Sequence, residues 1–254
     1  MNNSSLPSAS QAIAILQTIQ KFTAIENLAF WVAPNSILTL AGGRTYCDGV
    51  FYNDNLSIIS SWQKEIESGA RIIADNFDVL SYEVKHERTG RDESYVSYDV
   101  FFKKNLASSI KSSRLINDTV IENLTIDKMG KEIIELLRTN VDETIAEESI
   151  RTHVVLGVLL GYPDVAILDY LLDDEQRDPF SAPYIDADIR GAKYYDCPQP
   201  IYQYRRTLIT NPEIIAHETL WSNILKEYYT SDFHKSLEAD PQFQAKLKEI
   251  GSLN

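Results

Sequence analysis

Hydrophobic and polar positions alternate most clearly between residues 80 and 102. Leu80, Tyr82 and Val84 alternate with Ser81, Glu83 and Lys85, and Val96, Tyr98, Val100 and Phe102 alternate with Ser97 and Asp99. A period of two predicts strands with one apolar face. The charged run Glu87-Arg88-Thr89-Gly90-Arg91-Asp92-Glu93 separates them. The pattern therefore predicts an antiparallel hairpin over about residues 77–103. Two strands alone are marginal in water, so a further segment is expected to extend the sheet. The candidates are the Ile37 segment, residues 46–52 and residues 201–207.

Elsewhere the spacing is helical. Ser8 or Ser10 can cap a helix bearing Ile15, Ile19, Phe22 and Ile25, which runs towards Trp31 and stops before Pro34. Ile37-Leu38-Thr39-Leu40 reads as a short strand, with Gly42-Gly43 and Asp48-Gly49 as turns. Residues 55–75 form a second helix around Ile58, Trp62, Ile66 and Ile73. From Lys104 to Gln176 helices dominate, with Met129, Ile133, Leu136 and Leu137 on one stripe. Residues 142–160 and 165–176 form a tight helical hairpin. Gly161 suits a left-handed helix end, Pro163 cannot continue the helix, and Asp164 can cap the next one. Gly157 and Gly161 leave room for another element to pack close. Asn211-Pro212 opens a later helix, and a last one follows Pro241.

Helix, small sheet, helices, loop, helices is the order of an α+β fold, with the sheet packed against several helices. The expectation is a single α+β domain over residues 1–254, with a loose tail at 1–7; a division into 8–103 and a mainly helical 104–254 is the alternative. Residues 179–207 stand apart. They combine Pro179, Pro183, Pro198 and Pro200 with Tyr184, Tyr194, Tyr195, Tyr202 and Tyr204, a long irregular loop of the kind that carries function.

A formal net charge of -13 opposes binding to nucleic acid or to anionic lipid and favours a basic partner. Cys47 and Cys197 have no CxxC neighbour, so no metal site is written, and both thiols are expected free in a reducing compartment. The first residues lack a secretory pattern and no apolar run spans a bilayer. The cytoplasm is the expected location, and export without a cleaved signal is equally compatible.

The chemistry on offer is fragmentary. Gly42, Gly43 and Arg44 could cradle an anion, and Cys47 beside a cation could serve as a nucleophile. His153, on the helix before Gly161, is a candidate base, and so is His217. His217-Glu218 is not a zincin motif, because Trp221 stands where the second histidine is needed. Asp186 and Asp188 begin like a calcium loop, but Arg190 and Cys197 occupy ligand positions. The pair could instead hold a metal–phosphate group. Tyr194, Tyr195, Tyr202, Tyr204, Arg205 and Arg206 bring together the residue types of interface hot spots. His86 and His234, among charged residues, read as surface.

No complete catalytic, nucleotide or cofactor motif is present. The leading expectation is a binding module, for a protein partner or ligand, with no cofactor. The alternatives are a cysteine-dependent hydrolase or acyl-type transferase using Cys47 with His153 or His217, and a metal- or phosphate-dependent transferase using Asp186 and Asp188.

Overall fold

A computed structural model describes residues 7–88, 94–105, 109, 113, 115, 154, 157–158, 160–172, 184–186, 203–205 and 208–251. In chain order these contain α1 (Ala9–Gln20), a 3-10 helix (Ile25–Trp31), α2 (Pro34–Leu40), β1 (Tyr46–Asn53), α3 (Leu56–Asn76), β2 (Val79–Arg88) and β3 (Ser94–Phe102). Then follow α4 (Asp164–Leu172), β4 (Tyr184–Asp186), β5 (Gln203–Arg205), α5 (Pro212–Thr230), α6 (Asp232–Glu238) and α7 (Pro241–Gly251). The fold is α+β, as the pattern predicts.

The main sheet is antiparallel in the order β1-β3-β2. The third strand is the 46–53 segment, one of the three candidates. The Ile37 segment is helical instead: Pro34 sits at the start of α2, and Ser36 to Leu40 are all buried. A short run buried on every side has no period to distinguish helix from strand. Residues 203–205 pair with 184–186 in a separate two-stranded ladder.

Along β3 the core face carries Val96, Tyr98, Val100 and Phe102, all buried. Asp48-Gly49 is no turn but the middle of β1, with Gly49 opposite Tyr98. A Cβ on Gly49 would collide with the Tyr98 ring. The Tyr98 hydroxyl donates to the Phe30 carbonyl at 2.7 Å, and the Ser36 hydroxyl lies 2.9 Å from it. The ring also lies 4.5 Å from Trp31. One glycine thus lets a strand, the 3-10 helix and α2 share a single aromatic residue.

The opposite face of the sheet is read from the register. Tyr52, Tyr95 and Glu87 form one row across the three strands; Val50, Ser97 and Lys85 form the next. Phe101, further along, is buried, whereas Val50 and Tyr52 are 44% and 41% exposed.

Helix α3 starts where Asn55 accepts from the Ser57 N–H and covers the core face with Ile59, Trp62, Ile66 and Ile73. Its Gly69 lies against Trp31: a Cβ there would come within 2.6 Å of the indole nitrogen. Helix α1 buries Ile15, Leu16 and Ile19 but ends at Gln20, before the expected Phe22, which is 67% exposed. At its start Ser8 makes no side-chain cap bond. Helix α7 closes the core with Phe243 and Ile250. It is tied to α3 by Trp62 donating to Glu249 at 2.8 Å and by Lys246 at 2.9 Å from Glu65. Among the described residues no helix is long and apolar enough to cross a membrane.

Candidate functional site

Two helix ends meet beneath α5, and both end in the same way. At the end of α2, Gly42 (φ +91°) gives its N–H to Thr39 O at 2.9 Å, and Gly43 gives its N–H to Leu38 O at 2.8 Å. At the second end, Gly161 (φ +75°) donates to Val158 O at 3.0 Å and Tyr162 donates to Gly157 O at 2.9 Å. Each is a Schellman turn with glycine in the left-handed position, which satisfies two of the carbonyls a helix end leaves over. Gly161 thereby takes the conformation expected for it. Gly157 also packs as expected, with Ile167 of α4 filling the place of its missing side chain. Helix α4 begins at Asp164, whose carboxylate accepts from the Ser113 hydroxyl at 2.8 Å.

The two turns are in direct contact. A methyl group on Gly161 would stand 2.7 Å from Gly43 O and 3.6 Å from the Arg44 Cα. Arg44 is buried, and its Nε donates to Leu160 O at 3.2 Å. Asn105 binds the first turn from the far side: its Nδ2 donates to Arg44 O at 2.7 Å and to Thr39 O at 2.9 Å.

Helix α5 seals the junction. Asn211 caps it through the Glu213 N–H and Pro212 occupies its first turn, as the sequence predicts. One turn further in, His217 points its Nε2 at Gly161 O, 2.6 Å away, and stacks on Trp221 at 4.2 Å between ring centres. A carbonyl only accepts, so Nε2 carries the proton and the neutral ring keeps Nδ1 as its acceptor. Burial pushes the His217 pKa from 6.5 down to about 4, and the Gly161 hydrogen bond opposes that only in part. The Trp221 indole nitrogen lies 3.4 Å from where a Gly43 side chain would begin.

The structure thus brings His217, which the sequence selects as a base, together with Gly42, Gly43 and Arg44, which it selects as an anion cradle. Their arrangement is an architectural joint: the two glycine amides that an anion would need are spent on carbonyls of their own helix. Trp221 and Asn105 belong to the joint as well. The spacing of four from His217 to Trp221 was legible; Asn105 has no sequence signal, because its partners are more than sixty residues away.

Cys47 lies in β1 opposite Val100, and its side chain is outside the described part of the structure. His153, Asp188, Tyr194, Tyr195, Tyr202 and Arg206 also lie outside the described residues. The 179–207 segment is more regular than expected where it is described. Tyr184 pairs with Arg205, Ile185 with Tyr204 and Asp186 with Gln203. That ladder sets the two ends of residues 187–202 side by side.

His234 is not on the surface. It is 2% exposed, with the Tyr228 and Tyr229 rings each 5.0 Å away and Nε2 3.5 Å from Glu238. Burial lowers its pKa, and Glu238 pulls it the other way. The charged neighbours Asp232 and Lys235 face solvent from the same short helix, which is why its sequence surroundings read as surface. Among the described residues no three acidic, histidine or cysteine side chains are grouped to hold a metal ion. Comparison with protein-family models, with curated proteins and with solved structures finds no match.

Proposed function

We propose that this chain is a protein-binding module whose recognition element is the segment between β4 and β5. The observation that carries this reading is the antiparallel ladder of Tyr184–Asp186 with Gln203–Arg205. A loop whose ends are held by paired strands pays less ordering entropy on binding than one held at a single point. Between those strands the chain carries Tyr194, Tyr195, Pro198, Pro200 and Tyr202, with Tyr204, Arg205 and Arg206 at the exit. Tyrosine and arginine give large contact area with directional polar groups, the composition of binding hot spots. A net charge of -13 favours a partner that presents a basic surface.

His217, the described histidine of the alternative hydrolase reading, already donates through Nε2 to Gly161. That bond gives His217 a structural task, joining α5 to the turn at Gly161. The test is selection of a random displayed-peptide library on the full chain and on a Tyr202→Ala, Tyr204→Ala double variant. One set of lysine- and arginine-rich peptides should be enriched on the wild type and lost on the variant, with unchanged circular dichroism. If no peptide selected on the wild type is lost on the variant, the assignment of the segment is overturned.

A further inference from the structure

The outer face of the main sheet carries exposed aromatic surface at one end and acidic side chains in the first and third of its rows. Tyr52 stands directly opposite Tyr95 and the two rings lie 5.5 Å apart, tilted by 49°. Tyr95 stands in turn opposite Glu87 and donates its hydroxyl to that carboxylate. The hydrogen bond fixes ring and carboxylate together, and it also holds the phenol's proton, with a pKa raised to about 12. One row away is Val50, 44% exposed beside Tyr52 at 41%. Glu83 and Asp99 occupy adjacent register positions on the same face. Lys85 lies there too, 3.7 Å from Glu83. The described charged side chains of this face are therefore three acids and one lysine already beside an acid. At the other end of the face Phe101 is buried, so among the described side chains the open apolar surface lies at the Val50–Tyr52–Tyr95 end.

We propose that this end of the sheet is a docking surface for a basic segment of a partner protein, with a lysine or arginine side chain lying across Tyr52 and Tyr95 and its cationic head at Glu87. Each part of such a side chain finds its match. The aliphatic stem covers Val50 and the edge of Tyr52, as long cationic side chains do on apolar surface. The head lies over an electron-rich ring face within cation–π reach. Glu87 has two carboxylate oxygens, of which Tyr95 engages one, and the other supplies a charge-assisted acceptor. An acidic or purely apolar segment would satisfy the rings and meet Glu83, Glu87 and Asp99 with repulsion or uncompensated desolvation. This surface is built from β1, β2 and β3, and its binding is tested apart from that of the β4–β5 segment.

The probe is a fluorescein-labelled decapeptide of alternating lysine and valine, titrated by anisotropy, with the glutamate–valine decapeptide as control. The lysine peptide should bind the full chain, more weakly as salt rises, and shift the methyl NMR signals of Val50. Tyr52→Ala and Glu87→Gln should each weaken it about fivefold, the size expected when one cation–π or one charged contact is lost at an exposed site. Glu87→Gln keeps an acceptor for the Tyr95 hydroxyl, so a loss there reports charge and not fold; circular dichroism checks both variants. The Tyr202→Ala, Tyr204→Ala variant should bind this peptide like the wild type. Absent binding, equal binding of the glutamate peptide, or wild-type affinity in Tyr52→Ala and Glu87→Gln overturns the proposal. So does a self-associated chain that dissociates on Tyr52→Ala, which makes a second copy the occupant. Binding lost only in the loop variant overturns it while leaving the loop reading standing; binding kept here with no basic peptide selected by the loop overturns the loop reading alone.

Discussion

The Nε2 atom of His217 lies 2.6 Å from the carbonyl oxygen of Gly161, and that contact joins α5 to a helix end fifty-six residues earlier in the chain. The ring is held neutral there. A second proton would have to be placed in a buried site, against the Trp221 ring and the backbone of two helix ends.

That contact gives the fold a defined acid sensitivity. The folded pKa of about 4 lies below the ordinary histidine value of 6.5, so between those values the unfolded chain takes up a proton that the folded chain refuses. Stability from this group is full above pH 6.5 and declines as pH falls towards 4, by up to about 3 kcal/mol. Urea midpoints measured across that window should fall for the wild type. His217→Gln keeps a donor for Gly161 and should flatten the decline by this amount; parallel curves for the two proteins would refute the assignment.

Gly161→Ala should be among the more damaging small substitutions. It forces a side chain into φ +75° and sets a methyl group 2.7 Å from Gly43 O. A loss of about 2–4 kcal/mol is expected from left-handed strain and the backbone collision combined. Chemical denaturation measures it, and a cost below about 1 kcal/mol would mean that the two turns separate easily.

Asn105→Ala tests the same joint from its other side. One Nδ2 group serves Thr39 O and Arg44 O in a buried setting. Its removal leaves two carbonyls without that donor and should cost about 2–3 kcal/mol. Asn105→Asp should be no better, because a carboxylate cannot donate to either carbonyl at neutral pH.

Tyr98→Phe removes only a hydroxyl. That hydroxyl binds Phe30 O at 2.7 Å and Ser36 Oγ at 2.9 Å inside the core. A loss of about 1–2 kcal/mol is expected in thermal or urea unfolding, with the ring still seated over Gly49. Ser36→Ala in the Tyr98→Phe background should then add little, since the pair acts as one network.

What could be read from the residues and what could not divides along physical lines. The β2–β3 hairpin was legible because one of its faces is buried and the other is not, which imprints a period of two. Helix α3 was legible from the helical spacing of Ile58, Trp62, Ile66 and Ile73, and α5 because Asn211 and Pro212 are local signals, with Asn211 accepting from the Glu213 N–H two residues on. Helix α2 was misread because burial on all sides erases the period. Gly49 was misread because glycine marks turns and close approaches alike, and only the position of Tyr98 decides between them. Gly42, Gly43, Arg44, Gly161 and His217 were each singled out from the sequence, but their meeting was not foreseeable. Arg44 reaches Leu160 across 116 residues, and no local pattern encodes a contact of that range.

The Tyr229 hydroxyl donates to Val32 O across 197 residues, and Trp62 reaches Glu249 across 187. Segments far apart in the chain therefore complete one core. During synthesis the early part of the chain leaves the ribosome with Phe30, Trp31 and Trp62 already made but with the helices that cover them still unmade. Loops of this span close slowly, and the exposed aromatic surface stays open to the wrong partners meanwhile. The yield of folded protein should accordingly depend on how long translation delays α5 and α7, so a strong pause placed between residues 100 and 200 should favour aggregation rather than help the first half to fold.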